Sequence, residues 1–186
     1  GYPMAGHLVA AGHQVTVYNR SSARAQQWRQ EHGGAVANTP ALAAIGADIV
    51  FSCVGNDDDV RAIALADEGV LAGLAEGSIF VDHTTTSADL AREIGSACAA
   101  KRLRFMDAPV SGGQAGAENG ALTVMIGGDQ QTLNEIEPVI QAYARKVALM
   151  GEVGNGQLAK MVNQICIAGL VQGLAEGLNF AEQVGL

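Results

Sequence analysis

Short apolar strands alternate with helical stretches along most of the chain, and no hairpin signal separates them. The strand-like segments lie at residues 14–18, 48–52, 79–82, 104–107, 121–126 and 147–150. The helical stretches lie at 21–32, 60–65, 87–101 and 129–142. Strands joined by helices pair in parallel, and helices then cover both faces of the sheet. The sequence therefore predicts an α/β fold built on a doubly wound, mostly parallel sheet.

The last segment of the chain differs from the rest. Residues 156–184 contain no proline and form a mostly apolar helical pattern that is longer than a usual domain helix. We expect a sheet domain over 1–152, and over 153–186 the start of an interdomain helix leading to an absent all-α domain. The sequence begins at Gly1 without a methionine and ends on Leu186 within a helical pattern, so we also expect that both ends are cut. A fragment lacking the first, central strand should be unstable or inactive.

Charge and cysteine content narrow the classes of partner. The formal net charge of -8 argues against nucleic acid or an anionic membrane and favours a small-molecule ligand. We expect no apolar run to be long enough to cross a bilayer. Cys53, Cys98 and Cys166 are odd in number and lack zinc or disulfide spacing, so we interpret them as reduced packing residues and expect no metal. A cytoplasmic location is the resulting expectation.

The first fifth of the chain suggests a dinucleotide site. Gly1 has the position of the last glycine in a G-x-G-x-x-G turn, whose following helix offers free N–H groups to a pyrophosphate. After the next strand come Asn19, Arg20 and Ser21, where such folds contact the adenosine ribose. The forked donors of Arg20 suit a 2′-phosphate, which favours NADP and leaves NAD open. A helix before a strand and a solvated arginine are the alternatives.

Two further strand ends carry polar residues. One holds Val54, Gly55 and Asp59, and the other holds His83 and Thr85. Ligands of open α/β sheets collect at the carboxyl ends of strands, although these residue types also serve turns and helix caps. The four histidines have no metal-ligand spacing, and we interpret them as surface or packing residues, with cofactor contact left open for His83.

Two motifs near the end of the sheet region point to chemistry. Ser111, Gly112 and Gly113 combine a hydroxyl with closely approachable N–H groups, which is a cradle for a carboxylate. Lys160 and Asn163 are three residues apart on a predicted helix, so they share one face and can reach one substrate oxygen. Taken singly, the first motif is also compatible with an ordinary loop and the second with a solvated lysine.

Taken in order, these motifs resemble the β-hydroxyacid dehydrogenase family, which includes 3-hydroxyisobutyrate dehydrogenase and tartronate semialdehyde reductase. The resemblance covers the whole chain and rests on D-A-P-V-S-G-G from Asp107, A-L-T-V-M-I-G-G from Ala121, and G-x-G-x-x-x-K-x-x-N from Gly154. It implies a 6-phosphogluconate dehydrogenase-type, Rossmann-like NAD(P)-binding domain.

The same resemblance implies roles for individual residues. Lys160 would be the catalytic acid or base, and Asn163 would orient the reacting oxygen. Ser111, with the two glycines after it, would bind the substrate carboxylate. Cofactor contacts are implied at Val54, Gly55, Asp59 and Thr85, although this chain has Gly55 where the family usually has proline and Asp59 where asparagine is expected.

The expected function is reversible hydride transfer between a nicotinamide and a small 3-hydroxy acid or semialdehyde. Its partners would be that substrate and a second copy of the full-length chain, in a homodimer or larger assembly. Two alternatives remain: a non-catalytic NADP-binding module and an imine reductase-like enzyme. Phosphogluconate dehydrogenase is disfavoured because its pattern is Lys-x-x-His-Asn, whereas Lys160 is followed by Met161, Val162 and Asn163.

Overall fold

Helices and strands alternate through most of the computed structural model, which describes all residues from Gly1 to Leu186. The strands are β1 (Thr16–Val17), β2 (Ala35–Val36), β3 (Ile49–Ser52), β4 (Ile79–Asp82), β5 (Arg104–Asp107), β6 (Val110–Ser111), β7 (Leu122–Gly127) and β8 (Ala144–Gly151). The helices are α1 (Tyr2–Ala10), α2 (Ser22–His32), α3 (Pro40–Ala44), α4 (Asp57–Leu65), α5 (Val70–Gly73), α6 (Ala88–Ala100), α7 (Gly113–Glu118), α8 (Gln130–Ile140) and α9 (Asn155–Val184).

The main sheet has six strands in the order β3-β4-β5-β7-β6, with β8 also paired to β7. Strands β3, β4 and β5 are parallel, and β7 is parallel to β8. Strand β7 runs antiparallel to β5 and β6. The register places Ser52, Asp82 and Asp107 side by side at the carboxyl ends of β3, β4 and β5. The sheet is mixed but mostly parallel, as predicted.

Both faces of the sheet are buried, which explains why the strands are continuously apolar. In β4, Ile79 and Val81 pack into a core with residues from α1 and α8. The intervening Phe80 points to the opposite face and packs into a second core with residues from α4, α5 and α6. Successive side chains of a strand alternate between faces, so a strand covered on both sides needs apolar residues throughout. This arrangement confirms the doubly wound, Rossmann-like class.

Strands β1 and β2 form a separate parallel pair. A cleft of about 1410 Å³ runs between this pair and the main sheet, lined by Thr16 and Val17 on one side and by the β3 residues Ile49 to Ser52 on the other. The sheet is therefore interrupted beside β3. Whether a further strand occupies this position in a longer chain stays a prediction, as do the domain limits of 1–152 and 153–186.

Helix α9 is 30 residues long and packs against the sheet only near its start. By length and composition alone it could cross a membrane, so the expectation that no apolar segment is long enough was wrong. Polar residues such as Asn163 and Gln172 interrupt the apolar sequence of the helix, but its mean hydropathy remains that of an apolar segment. Only 6% of its most apolar window is buried. The exposed large side chains of α9 include Val162, Ile165, Leu170, Val171, Leu174, Leu178 and Phe180.

Several short elements were not predicted from the sequence: β2, β6, α3, α5 and α7. Two-residue strands and single helical turns are too short to show a hydrophobic period. Strand β6 has one functional consequence. Ser111 lies in that strand, Gly112 is the N-cap of α7, and Gly113 is the first residue of that helix.

Candidate active site

A hydrogen-bonded cluster fixes the carboxyl ends of β3 and β4. The hydroxyls of Ser52 and Thr84 each donate to Oδ1 of Asp82, both at 2.6 Å. The Thr84 hydroxyl also accepts the Val54 N–H at 3.0 Å, so the loop after β3 is held by its backbone. Burial raises the pKa of Asp82, and the hydrogen bonds from Ser52 and Thr84 oppose that rise. The cluster sets the position of the backbone at Val54.

A second carboxylate fixes the start of α9. Asp107 accepts the Gly154 N–H at 2.7 Å and the Gln157 N–H at 2.9 Å. These N–H groups belong to the first turn, where no intrahelical acceptor exists and the helix dipole favours an anion. Burial raises the pKa of Asp107, whereas the N–H donors lower it. Gly156 lets the helix approach the sheet, because a Cβ there would lie 2.6 Å from the Met125 carbonyl oxygen.

The side chain of Gln157 joins α9 to the loop after β4. It is fully buried, donates from Nε2 to the Thr84 carbonyl at 2.7 Å and accepts the Thr86 N–H at Oε1 at 3.0 Å. Thr85 lies between these two anchored residues and is exposed. A buried amide that satisfies two backbone groups holds the loop and the helix in one arrangement. Thr85 therefore stands at a fixed position on the surface.

Lys160 lies one turn further along α9 and lines a pocket of about 640 Å³. Ser111, Gly112 and Gly113 line the same pocket. Lys160 is only 8% exposed and forms no ion pair. Burial lowers its pKa, because removal from water disfavours the charged ammonium. The Lys160 amine is thus largely buried, has no carboxylate partner and lines the same pocket as Ser111. Such an amine can exchange a proton with an oxygen bound in that pocket.

Asn163 does not line this pocket. It is half-buried, and its Nδ2 donates to Oε1 of Gln164 at 3.3 Å. Gln164 lines the pocket instead, one full turn after Lys160. Cys53 is a second lining residue that sequence reasoning had assigned only to packing. The spacing of four residues from Lys160 could have pointed to Gln164, because residues three and four apart share a helix face; no signal in the sequence pointed to Cys53.

The larger cleft between the two sheets contains most of the predicted cofactor residues. Gly1, Asn19, Arg20, Val54, Gly55 and Asp59 all line it. The side chain of Arg20 is 88% exposed, and Asn19 accepts the Ser21 N–H at 3.0 Å, which forms a tight turn before α2. Ser21 and Thr85 are exposed but do not line the cleft.

The cleft fits an extended dinucleotide. Helix α1 begins in it at Tyr2, and no side chain caps the free N–H groups of its first turn. Unpaired N–H groups at a helix start bind phosphate. The cleft and the Lys160 pocket share Gly1, Tyr2, Met4 and Cys53 in their walls, so one ligand can reach from the first into the second.

His83 has a structural role. Its Nδ1–H donates to the Ala108 carbonyl at 2.6 Å, because a carbonyl can only accept, and Nε2 then accepts the Tyr143 hydroxyl at 2.8 Å. The ring also stacks on Phe51 with 5.6 Å between centroids. Complete burial lowers the pKa of His83 to about 4. Both ring nitrogens are occupied within the protein, which agrees with the interpretation of His83 as a packing residue.

A doubly wound sheet with an uncapped helix start in a long cleft is the arrangement of a dinucleotide-binding domain. Comparison with known proteins gives the family: residues 1–151 match the model of the NAD binding domain of 6-phosphogluconate dehydrogenase, and the chain belongs to that family.

Relatives that match over the whole chain are described as oxidoreductases or dehydrogenases. An "Uncharacterized oxidoreductase" of Shewanella frigidimarina is 62% identical over the whole chain, which covers 64% of that protein. "Probable 3-hydroxyisobutyrate dehydrogenase-like 2, mitochondrial" of Arabidopsis thaliana is 44% identical over the whole chain, which covers 62% of it. The solved 3-hydroxyisobutyrate dehydrogenase of Mycobacterium tuberculosis with L-serine superposes with a TM-score of 0.92 at 34% identity, over 100% of this chain and 62% of the other. The chain thus spans less than two thirds of the length of these relatives.

Proposed function

We propose that the full-length protein interconverts a small 3-hydroxy acid and its semialdehyde, with Lys160 as the proton donor and acceptor. The observation that carries this proposal is the shared pocket: Lys160 faces the same 640 Å³ space as Ser111, Gly112 and Gly113. A carboxylate cradle beside a desolvated amine suits a substrate that has an acid at one end and a reacting oxygen at the other.

Lys160 would handle the proton. When bound, the nicotinamide supplies or accepts the hydride at its C4 atom. During alcohol oxidation, the neutral amine of Lys160 takes the hydroxyl proton as the carbon becomes a carbonyl. During reduction, the ammonium returns that proton to the oxygen. Burial lowers the Lys160 pKa, which makes both protonation states accessible closer to neutral pH.

Ser111 and the two glycines would hold the substrate carboxylate. Gly112 and Gly113 have φ values of 131° and 62°, a backbone region that favours glycine. Their N–H groups would donate to the carboxylate beside the Ser111 hydroxyl. We retain Asn163 as the residue that orients the reacting oxygen. That role requires its amide to leave Gln164, which it now contacts at 3.3 Å. Gln164 already lines the pocket and could serve the same oxygen.

The residues that line the cleft would hold the dinucleotide. The uncapped first turn of α1 after Gly1 would bind the pyrophosphate. Asn19, Arg20 and Ser21 would meet the adenosine ribose, and the loop with Val54, Gly55 and Asp59 would lie alongside. Thr85 would contact the cofactor from the loop fixed by Gln157. Arg20 supports NADP as the favoured cofactor, with NAD as the second.

The relatives support the substrate class. One is described as a probable 3-hydroxyisobutyrate dehydrogenase, and another was solved with L-serine. In both 3-hydroxyisobutyrate and L-serine, the hydroxyl is a primary alcohol on C3, and the carboxylate is C1. The uncovered apolar side chains of α9 further support a homodimer or larger assembly of the full-length protein, since such a surface favours burial against another protein surface.

A substrate panel tests the proposal. The full-length protein would be assayed with NADP and NAD against 3-hydroxyisobutyrate, L-serine, other 3-hydroxy acids and 6-phosphogluconate. It would be assayed with NADPH and NADH against the matching semialdehydes and cyclic imines. We expect turnover of 3-hydroxy acids and semialdehydes only. Turnover confined to imines or to 6-phosphogluconate would overturn the substrate class, and cofactor binding without any turnover would indicate a non-catalytic module.

A further inference from the structure

Asp59 and Arg20 face each other across the mouth of the dinucleotide cleft. Arg20 Nη1 lies 3.4 Å from Asp59 Oδ1. Asp59 is in the first turn of α4, where its N–H donates to the capping Asn56 side chain at 2.9 Å, so its backbone is fixed. Arg20 is far more exposed than Asp59, with 88% of its side chain accessible against 32%. The carboxylate is thus the more buried partner of this pair, on an anchored backbone, and the arginine is the more exposed one.

Gly55 provides the space that the Asp59 carboxylate occupies. A Cβ at position 55 would lie 2.5 Å from Asp59 Oδ2, which is closer than nonbonded atoms approach. Any other residue at 55 would push the carboxylate away from its present position. The loop after β3 is thus shaped to hold an acidic group beside Arg20.

The two carboxylates that precede Asp59 have other partners. Asp57 accepts the hydroxyl and the N–H of Ser87. Asp58 is 94% exposed in its side chain and pairs with Arg61 at 3.4 Å. Of these three consecutive acids, only Asp59 lines the cleft. Any electrostatic effect of this cluster on the adenosine end of the cofactor should come mainly from Asp59.

We propose that Asp59 is a specificity-determining residue that weakens binding of NADP relative to NAD. This inference rests on the proposed function, because it assumes that a dinucleotide binds with its ribose near Arg20. The carboxylate competes with a 2′-phosphate for the Arg20 guanidinium and repels the phosphate charge. With NAD, the same oxygens can accept a hydrogen bond from a ribose hydroxyl. In such folds that role usually belongs to an acidic residue at the strand end that here holds Asn19, and this chain has no acid there.

The test is a pair of binding titrations on the full-length protein. Dissociation constants for NADPH and NADH are measured by cofactor fluorescence for the wild type, Asp59→Asn and Asp58→Asn. Asp58→Asn is the matched control, since it removes the same charge one residue away and on a side chain outside the cleft. We expect Asp59→Asn to raise the preference for NADPH over NADH about tenfold, as one nearby, partly screened charge would do. The control should leave the preference unchanged.

Two further variants separate position from charge. Gly55→Ala keeps the Asp59 charge but displaces its carboxylate, so it should raise the NADPH preference in the same direction. In an Arg20→Ala background, Asp59→Asn should have a smaller effect, because the competition for the guanidinium is gone.

The outcomes are distinguishable. An Asp59→Asn protein that binds both cofactors with the wild-type preference would overturn the role of Asp59 and leave the proposed function standing. An equal change in Asp58→Asn would also overturn it, because the effect would then be one of net charge. If the wild type binds neither cofactor, the proposed function fails and this inference fails with it.

Discussion

The carboxylate of Asp107, at the end of β5, accepts the backbone N–H of Gln157 at 2.9 Å in the first turn of α9. This contact ties the sheet to the helix that carries Lys160. The Gln157 side chain continues the connection to the loop that holds Thr85. The candidate proton-transfer group and a candidate cofactor contact are thus positioned by one buried set of hydrogen bonds.

Replacing Gln157 with leucine should destabilise the fold. The substitution keeps the volume but leaves the Thr86 N–H and the Thr84 carbonyl buried without partners. The free energy of unfolding should fall by about 2–4 kcal/mol, the cost of two orphaned buried groups. Urea denaturation of the wild type and of the variant measures this difference in the free energy of unfolding. Gln172→Leu, on the exposed part of α9, is the control and should change stability little. A Gln157→Leu protein as stable as this control would contradict the account.

The fold was predictable to the extent that it depends on local patterns. The continuous apolar run of β4 indicates a strand that is buried on both faces. This inference does not require knowing which helices cover the strand. That Ser111 and Lys160 belong to one site was expected only from the family resemblance of their motifs, and the structure places both in the wall of one pocket. Contacts between residues distant in sequence were not accessible in this way: Gln157 bonds to Thr84, 73 residues earlier. No sequence pattern around Gln157 or Thr84 indicates that the two residues form a hydrogen bond.

The same limit applies within the site. Asn163 and Gln164 both lie near the Lys160 face by helical spacing, and only packing decides which one enters the pocket. Asp59 and Gly55 differ from the residues expected by resemblance. Only the structure shows that the two depend on each other, because a Cβ at position 55 would collide with the Asp59 carboxylate.

His83 should make the fold sensitive to mild acid. Its pKa is about 4 in the folded protein against an ordinary value of 6.5. Between these values the unfolded chain binds a proton that the folded protein does not, so stability is complete above pH 6.5 and falls as the pH drops toward 4. The loss is about 3 kcal/mol at pH 4 and levels off within about one pH unit below it. Asp82 and Asp107, whose pKa values are raised by burial, act in the opposite direction.

His83→Gln isolates this effect, because glutamine is uncharged over the whole range and can still hydrogen bond. Unfolding free energies would be measured for both proteins between pH 4 and 8. The difference in stability between wild type and variant should shift by about 3 kcal/mol in favour of the variant as the pH falls. A difference that stays constant with pH would refute the role of His83.

Ser111→Ala should weaken substrate binding without affecting the cofactor. Loss of a hydrogen bond to a carboxylate should raise KM for the hydroxy acid about tenfold. The dissociation constant for NADPH should stay near the wild-type value, since Ser111 lines the Lys160 pocket but not the dinucleotide cleft. Ser96→Ala, on the exposed side of α6, serves as the control. If the cofactor constant changed and KM did not, the carboxylate cradle would be misplaced.

The most direct test of the central claim is the pH dependence of hydroxy acid oxidation by the full-length wild type and Lys160→Ala, with the exposed Lys146→Ala as the control. In the wild type, kcat/KM should rise with pH as the Lys160 ammonium loses its proton, with the midpoint below the ordinary pKa of lysine because burial lowers it. Lys160→Ala should lose that rise and about two to four orders of magnitude in kcat while binding NADPH normally. Near-normal turnover by Lys160→Ala, or an unchanged pH profile, would contradict the assignment of Lys160 as the proton-transfer group.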